Sequence, residues 1–218
     1  MIYQFIKKEF KVEWRNKYAI NGIALYLVST IFICYLSFNV KNNQLAVVTW
    51  NALFWIIILF ASINAVAKSF IQEKHERQLY YYTIISPQAL ITARIIYNTL
   101  LLIVLALLGV LFYSLILGNP IQDITLFLIN IILAAIGFSS TLTLISAIAS
   151  KAGSNQTLMA VLGFPILLPM LLMVIKISKN AIDGLALSAS FDEILTLCAI
   201  NIIVGAVSFL LFPYLWRS

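Results

Sequence analysis

Six long apolar runs constrain this chain more than any motif in it. They cover Ala19 to Phe38, Val47 to Lys68, Arg94 to Leu117, Ile124 to Ala149, Leu158 to Ile175 and Ile194 to Trp216. A hydrocarbon core of roughly 30 Å is crossed by about 20 helical residues, so each run has spanning length. Backbone groups in lipid must be satisfied within the segment, which leaves the α-helix as the form for runs of this length. With 62% hydrophobic residues, 10% charged residues and a mean hydropathy of +1.01, an ordinary soluble domain is excluded. The expected fold class is an all-α polytopic membrane protein. It is expected to form a single transmembrane domain over residues 1–218, with no room for a separate soluble module. Any ATP-binding, redox or proteolytic domain is expected on another polypeptide.

Charge gives the expected orientation. Lys7, Lys8, Lys11, Arg15, Lys17, Lys68, Lys74, Arg77, Arg94, Lys151 and Arg217 all fall on one side of a six-span layout. Only Lys41, Lys176 and Lys179 fall on the other, beside Asp123, Asp183, Asp192 and Glu193. Positive residues near span ends are retained in the cytoplasm, so both termini are expected there, in a multi-pass protein of a bacterial plasma membrane. The net charge of +6 follows from this asymmetry. A nucleic-acid partner, which needs a clustered basic face on a soluble module, is not expected.

Residues 1–18 place Ile2, Tyr3, Ile6, Phe10 and Trp14 on one helical face and Lys7, Lys8, Lys11 and Arg15 on the other. That pattern predicts an interfacial elbow helix lying on the lipid bilayer, and a basic flank that fixes topology is compatible with it. No small-residue cleavage pattern follows, so the segment reads as a retained anchor.

Several chemistries lack their residues. Cys34 and Cys198 both lie inside apolar runs, where a small apolar side chain explains them. The single histidine, His75, lies in a polar connection, so neither a bis-histidine haem site nor a Ser/His/Asp arrangement is expected within the membrane. Met159, Met170 and Met173 read as packing residues. The span centres are expected to carry no Asp, Glu, Lys or Arg, which argues against an ion relay or an intramembrane catalyst. No catalytic residue, bound cofactor or metal is therefore expected on this chain.

Polarity concentrates between spans two and three, over residues 71–93. The segment Gln72-Glu73-Lys74-His75-Glu76-Arg77-Gln78-Leu79 leads through Tyr80-Tyr81-Tyr82 to Ser86-Pro87. On the cytoplasmic side this is where a soluble partner would grip. Glu73 and Arg77 are four apart, Leu79 and the tyrosines offer apolar anchors, His75 and Glu76 keep the segment solvated, and Ser86-Pro87 ends it. A plain topological connector is the alternative.

Within the spans, Ala135, Ser139 and Thr143 repeat at four-residue spacing, as do Gly137 and Thr141. Small residues in such rows let helices approach closely, and packing is the reading preferred over a translocation path. Span five carries Gly163-Phe164-Pro165-Ile166-Leu167-Leu168-Pro169, where two missing backbone donors predict a kink. Residues 176–193 form the longest outer connection, with a short interfacial helix expected in part of it. It is either a structural link or a contact for an extracytoplasmic partner.

The elbow, the six spans, the loop pattern Phe70-x-x-Glu73-x5-Leu79-x6-Ser86-Pro87-x6-Arg94 and the span-five prolines resemble the membrane subunits of ABC-2 type exporters. Within that group, length and the stretch Ser150-Lys151-Ala152-Gly153-Ser154 before the Gly163 to Pro169 run look most like the haem exporter protein B family, CcmB, of cytochrome c maturation. The loop departs from the pattern in one respect: related loops often have a glycine just before Leu79, where Arg77 and Gln78 stand here. The resemblance implies a non-catalytic permease subunit. Its implied partners are a second copy of itself, a cytoplasmic CcmA-like ATPase that binds ATP, a CcmC-like haem-handling membrane subunit and a CcmE-like haem chaperone. No Gly-x4-Gly-Lys-Ser/Thr phosphate loop occurs in the chain. Haem would be handled by the complex, either by export or by ATP-driven release of a loaded chaperone. An ABC-2 permease for a lipid, polysaccharide or drug, or a non-transporting assembly subunit, are the alternatives.

Overall fold

The computed structural model describes residues 17–39, 45–71, 86–151 and 156–217. Six long helices occupy nearly all of them: α1 (Lys17–Asn39), α2 (Val47–Ile71), α3 (Pro87–Leu117), α4 (Ile124–Lys151), α5 (Gln156–Ile182) and α6 (Phe191–Arg217). A 3-10 turn, Leu187–Ser190, precedes α6. All six are long and apolar enough to cross a membrane. The protein is an all-α polytopic membrane protein.

α4 is the hub. It packs on α2, α3, α5 and α6, whereas α1 packs chiefly on α2 and α3. The α4 sequence allows this because small and weakly polar residues occupy much of its surface, and 78% of its spanning window is buried. A helix buried on nearly every side does not need one apolar stripe; it needs side chains short enough for four neighbours to approach. Gly109 serves the same end on α3, where a Cβ would meet Ile58 Cδ1 at 2.7 Å.

At the end of the bundle that holds the α3–α4 turn, the connections are short and tied together. Asp123 caps α4, its Oδ1 accepting from the Leu126 amide at 3.0 Å, and its own amide donates to the Ala181 carbonyl at 2.9 Å. α5 closes in a Schellman motif, with Gly184 at φ 69° and the Leu185 amide donating to the Asn180 carbonyl at 3.0 Å. Lys176 Nζ reaches Glu193 Oε1 at 2.6 Å, and Asn180 Nδ2 donates to Ser190 Oγ at 2.9 Å. Residues 176–193 are thus two helix ends around a 3-10 turn. Below them Trp50, Phe54, Trp55, Tyr113 and Phe127 form an aromatic cluster of stacked, tilted and edge-to-face pairs with centroids 4.8–6.5 Å apart. The Tyr113 hydroxyl donates to the Trp50 carbonyl and Trp50 Nε1 to the Gly118 carbonyl, so these polar tips are satisfied inside the cluster.

Two expectations change. α5 continues to Ile182, seven residues beyond the expected span, running as one helix through Pro165 and Pro169. α3 begins at Pro87, not at Arg94, because Ser86 accepts from the Ala89 amide at 3.4 Å and Pro87 supplies a preset first helical φ. The loop of residues 71–93 therefore gives its last seven residues to the helix. Residues 1–16 of the expected elbow lie outside the described residues.

Candidate functional site

Of the loop residues singled out in the sequence, Glu73, His75, Glu76, Arg77 and Leu79 lie outside the described residues. Ser86 and Pro87 form the cap that launches α3. Whatever acts on the loop therefore acts on a helix whose first turn is mechanically defined.

Two turns into α3, Arg94 is only 2% exposed. It lies about 10 Å along α3 from Pro87 at 1.5 Å per residue, toward the start of the 31-residue helix and not at its centre. Its chain neighbours Leu90, Ile91 and Ala93 of α3 join Ala147 of α4 and Phe212 of α6 in an apolar cluster separate from the main core. One turn further, Asn98 Nδ2 donates to Thr143 Oγ1 at 2.8 Å. Ser139 Oγ donates to the Ile95 carbonyl at 2.8 Å, an oxygen that also accepts from Thr99 Oγ1. The polar stretch of α3 is thereby bonded to the hub helix at two levels.

The small-residue rows of α4 divide by neighbour. Ala135, Ser139 and Thr143 are buried, the latter two meeting α3 as just described. Gly137 and Thr141 lie on another side: a Cβ on Gly137 would overlap Met170 Cε and Asn201 Oδ1, and Thr141 Oγ1 lies 3.6 Å from Met170 Sδ. That second row is where α5 and α6 close on α4.

On α5, Gly163 is buried, with a Cβ position 3.2 Å from Leu167 Cδ1 and 3.6 Å from Ile145 Cδ1 of α4. Pro165 and Pro169 are on the exposed face of the same helix. The glycine lies on the buried face, where a Cβ would be at ordinary contact distance from Ile145, while the prolines delete two intrahelical donors on the side away from the bundle, leaving the Val161 and Pro165 carbonyls without their usual i+4 amides. Further along, α5 is clasped from two sides: Asn51 Nδ2 donates to the Ile175 carbonyl at 2.9 Å and Asn130 Nδ2 to the Val174 carbonyl at 2.8 Å. Asn201 of α6 makes the same kind of bond to the Leu133 carbonyl at 3.0 Å.

Asn98, Asn51, Asn130 and Asn201 were not singled out by sequence reading, and Arg94 was read there only as a cytoplasmic charge that closes the loop pattern. The signal was present as isolated polar residues in apolar runs, which in a membrane interior persist where a partner satisfies them. Cys34 and Cys198 are free thiols of intermediate exposure inside spans, and among the described residues no three His, Cys, Asp or Glu side chains form a metal-binding group.

No curated protein and no solved structure matches the chain. A protein-family model, that of the CcmB protein, matches residues 1–213. Six spanning helices packed around α4 and a family match over nearly the full sequence lead to one conclusion: the chain belongs to the CcmB family, the membrane permease components of haem export for cytochrome c maturation.

Proposed function

We propose that this chain is the permease subunit of an ABC-type complex in which a separate CcmA-like ATPase docks on the loop between α2 and α3, and ATP hydrolysis there drives haem delivery through this subunit. Two copies of the chain would face two ATPase subunits, beside a CcmC-like haem-handling subunit and a CcmE-like chaperone. ATP belongs to the ATPase, and haem is cargo of the complex, moved by export or freed with its chaperone. Both termini and the loop face the cytoplasm, as the distribution of Lys and Arg requires.

The observation that carries this reading is the placement of the loop directly before the Ser86-Pro87 cap of α3, a helix bonded to the hub α4. A load applied at the loop enters the bundle through a defined helix end rather than through a slack linker. Leu79→Asp combined with Glu73→Lys reverses one charge and removes one apolar anchor from the loop, so it is expected to abolish co-purification of the ATPase in mild detergent and to stop cytochrome c maturation, with membrane insertion unchanged. Recovery of the ATPase at normal levels with the double variant would refute the docking assignment.

A further inference from the structure

Several helical serines and threonines of the bundle satisfy their hydroxyls on a carbonyl one turn back, as such residues commonly do. Ser62 donates to the Ile58 carbonyl, Thr99 to Ile95 and Ser208 to Val204, each four residues earlier. Ser178 of α5 departs from this. It is 0% exposed, and its Oγ has no hydrogen-bond partner. The carbonyls four and three residues before it are those of Val174 and Ile175, and both are taken: Asn130 Nδ2 of α4 donates to the first and Asn51 Nδ2 of α2 to the second. Each asparagine has its other amide atom left over, because Asn51 Oδ1 and Asn130 Oδ1 are also buried without a partner.

The three oxygens converge for a covalent reason. In each asparagine the oxygen shares a carbon with the nitrogen already held at α5, and in a helix a serine Oγ lies beside the carbonyls three and four residues back. All three therefore surround the same pair of adjacent carbonyls, where α2, α4 and α5 meet. A fourth group stands one turn along α2 from Asn51. Trp55 is 0% exposed, its ring centroid is 6.2 Å from that of Phe127 on α4, and its Nε1 lacks a partner. Trp50, by contrast, donates its Nε1 proton to the Gly118 carbonyl. Unpaired polar atoms are costly in a protein interior, and a group of them around one point calls for a shared partner.

The chemistry of the set selects that partner. Asn51 Oδ1 and Asn130 Oδ1 only accept, Trp55 Nε1 only donates, and the Ser178 hydroxyl can do either. A water molecule has two protons to give and two lone pairs to fill, and a buried water typically makes about three bonds to groups otherwise unsatisfied. A cation fits poorly, since the indole would turn its proton toward the charge and none of the four groups is anionic.

We propose that these groups form a binding site for one water molecule, which donates to Asn51 Oδ1 and Asn130 Oδ1 and accepts from Trp55 Nε1 and Ser178 Oγ. The water ties α2 and α4 to α5 near its Ile182 end, at a level beyond Pro165 and Pro169.

The test uses the full chain in lipid nanodiscs. Its four tryptophans give few enough indole proton signals to resolve by isotope labelling, and Trp55→Phe and Trp50→Phe assign the two that matter. The Trp55 indole proton is expected to show a cross-relaxation peak to water, and the Trp50 proton none. Ser178→Ala is expected to lower the unfolding temperature by about 2–4 °C, the shift for one lost hydrogen bond in a chain of this size. Removing a hydroxyl that holds nothing would instead relieve a burial cost and raise it. Exchange of Na+ for N-methylglucamine at constant ionic strength is expected to leave both readings unchanged. A Trp55 proton silent toward water, an unfolding temperature unchanged or raised in Ser178→Ala, or a Na+-dependent stability that this variant loses overturns the proposal.

Discussion

A methyl group at Gly137 has nowhere to go, since its Cβ would overlap Met170 Cε and Asn201 Oδ1 where α4, α5 and α6 converge. Gly205 on α6 has nothing within 4 Å of the same position. Replacing the first by valine overpacks a three-helix junction, a class of change that costs about 1–3 kcal/mol. Replacing the second by alanine adds helix propensity and offends nothing, gaining up to about 1 kcal/mol. Thermal unfolding in detergent is therefore expected to drop for Gly137→Val and to hold or rise for Gly205→Ala. Equal effects would mean that the glycine is tolerated at Gly137 rather than required there. The four-residue rows on α4 were legible in the sequence, because small residues at helical spacing mark a close-packed face. What each row faces was not, because the identity of a neighbouring helix is a long-range property that no local pattern encodes.

At the scale of the helix, α5 combines a clasp and a weakness. Asn51 and Asn130 hold it at the Ile175 and Val174 carbonyls, while Pro165 and Pro169 remove two donors from its exposed face toward the other end. A helix-interior proline costs about 3 kcal/mol against alanine, yet neither proline is buried against the bundle to repay it. Pro165→Ala with Pro169→Ala is expected to raise the unfolding temperature and to slow or alter haem delivery while the ATPase still co-purifies. Loss of the ATPase from that variant would show that the prolines serve assembly and not the cycle. The prolines themselves were evident from sequence. That both lie on the exposed face, with Gly163 buried toward Ile145 of α4, depends on the neighbouring helices and was not legible locally.

For the whole molecule the governing statement is topological. Alternation of six spans is expected to place Asn119 and Gly184 on one side of the membrane and the loop around His75 on the other, with the cation-rich side expected in the cytoplasm. Impermeant thiol labelling of single cysteines at Asn119 and Gly184 is expected from outside, and at His75 from the cytoplasm only. Cytoplasmic labelling at Gly184 would overturn the layout, because one inverted connection implies a span too many or too few. Number and order of the spanning helices were legible in the sequence alone, for a physical reason: in lipid an apolar run of about 20 residues has no alternative to forming a helix, so local composition suffices. Only the tertiary structure decided that α4 is the hub, that α3 starts at Ser86-Pro87, and that Arg94 is buried with it. Hydropathy ends a span at the first charge. Whether that charge meets water or a protein interior depends on which helices stand beside it, and that is set by the packing of residues far apart in the chain.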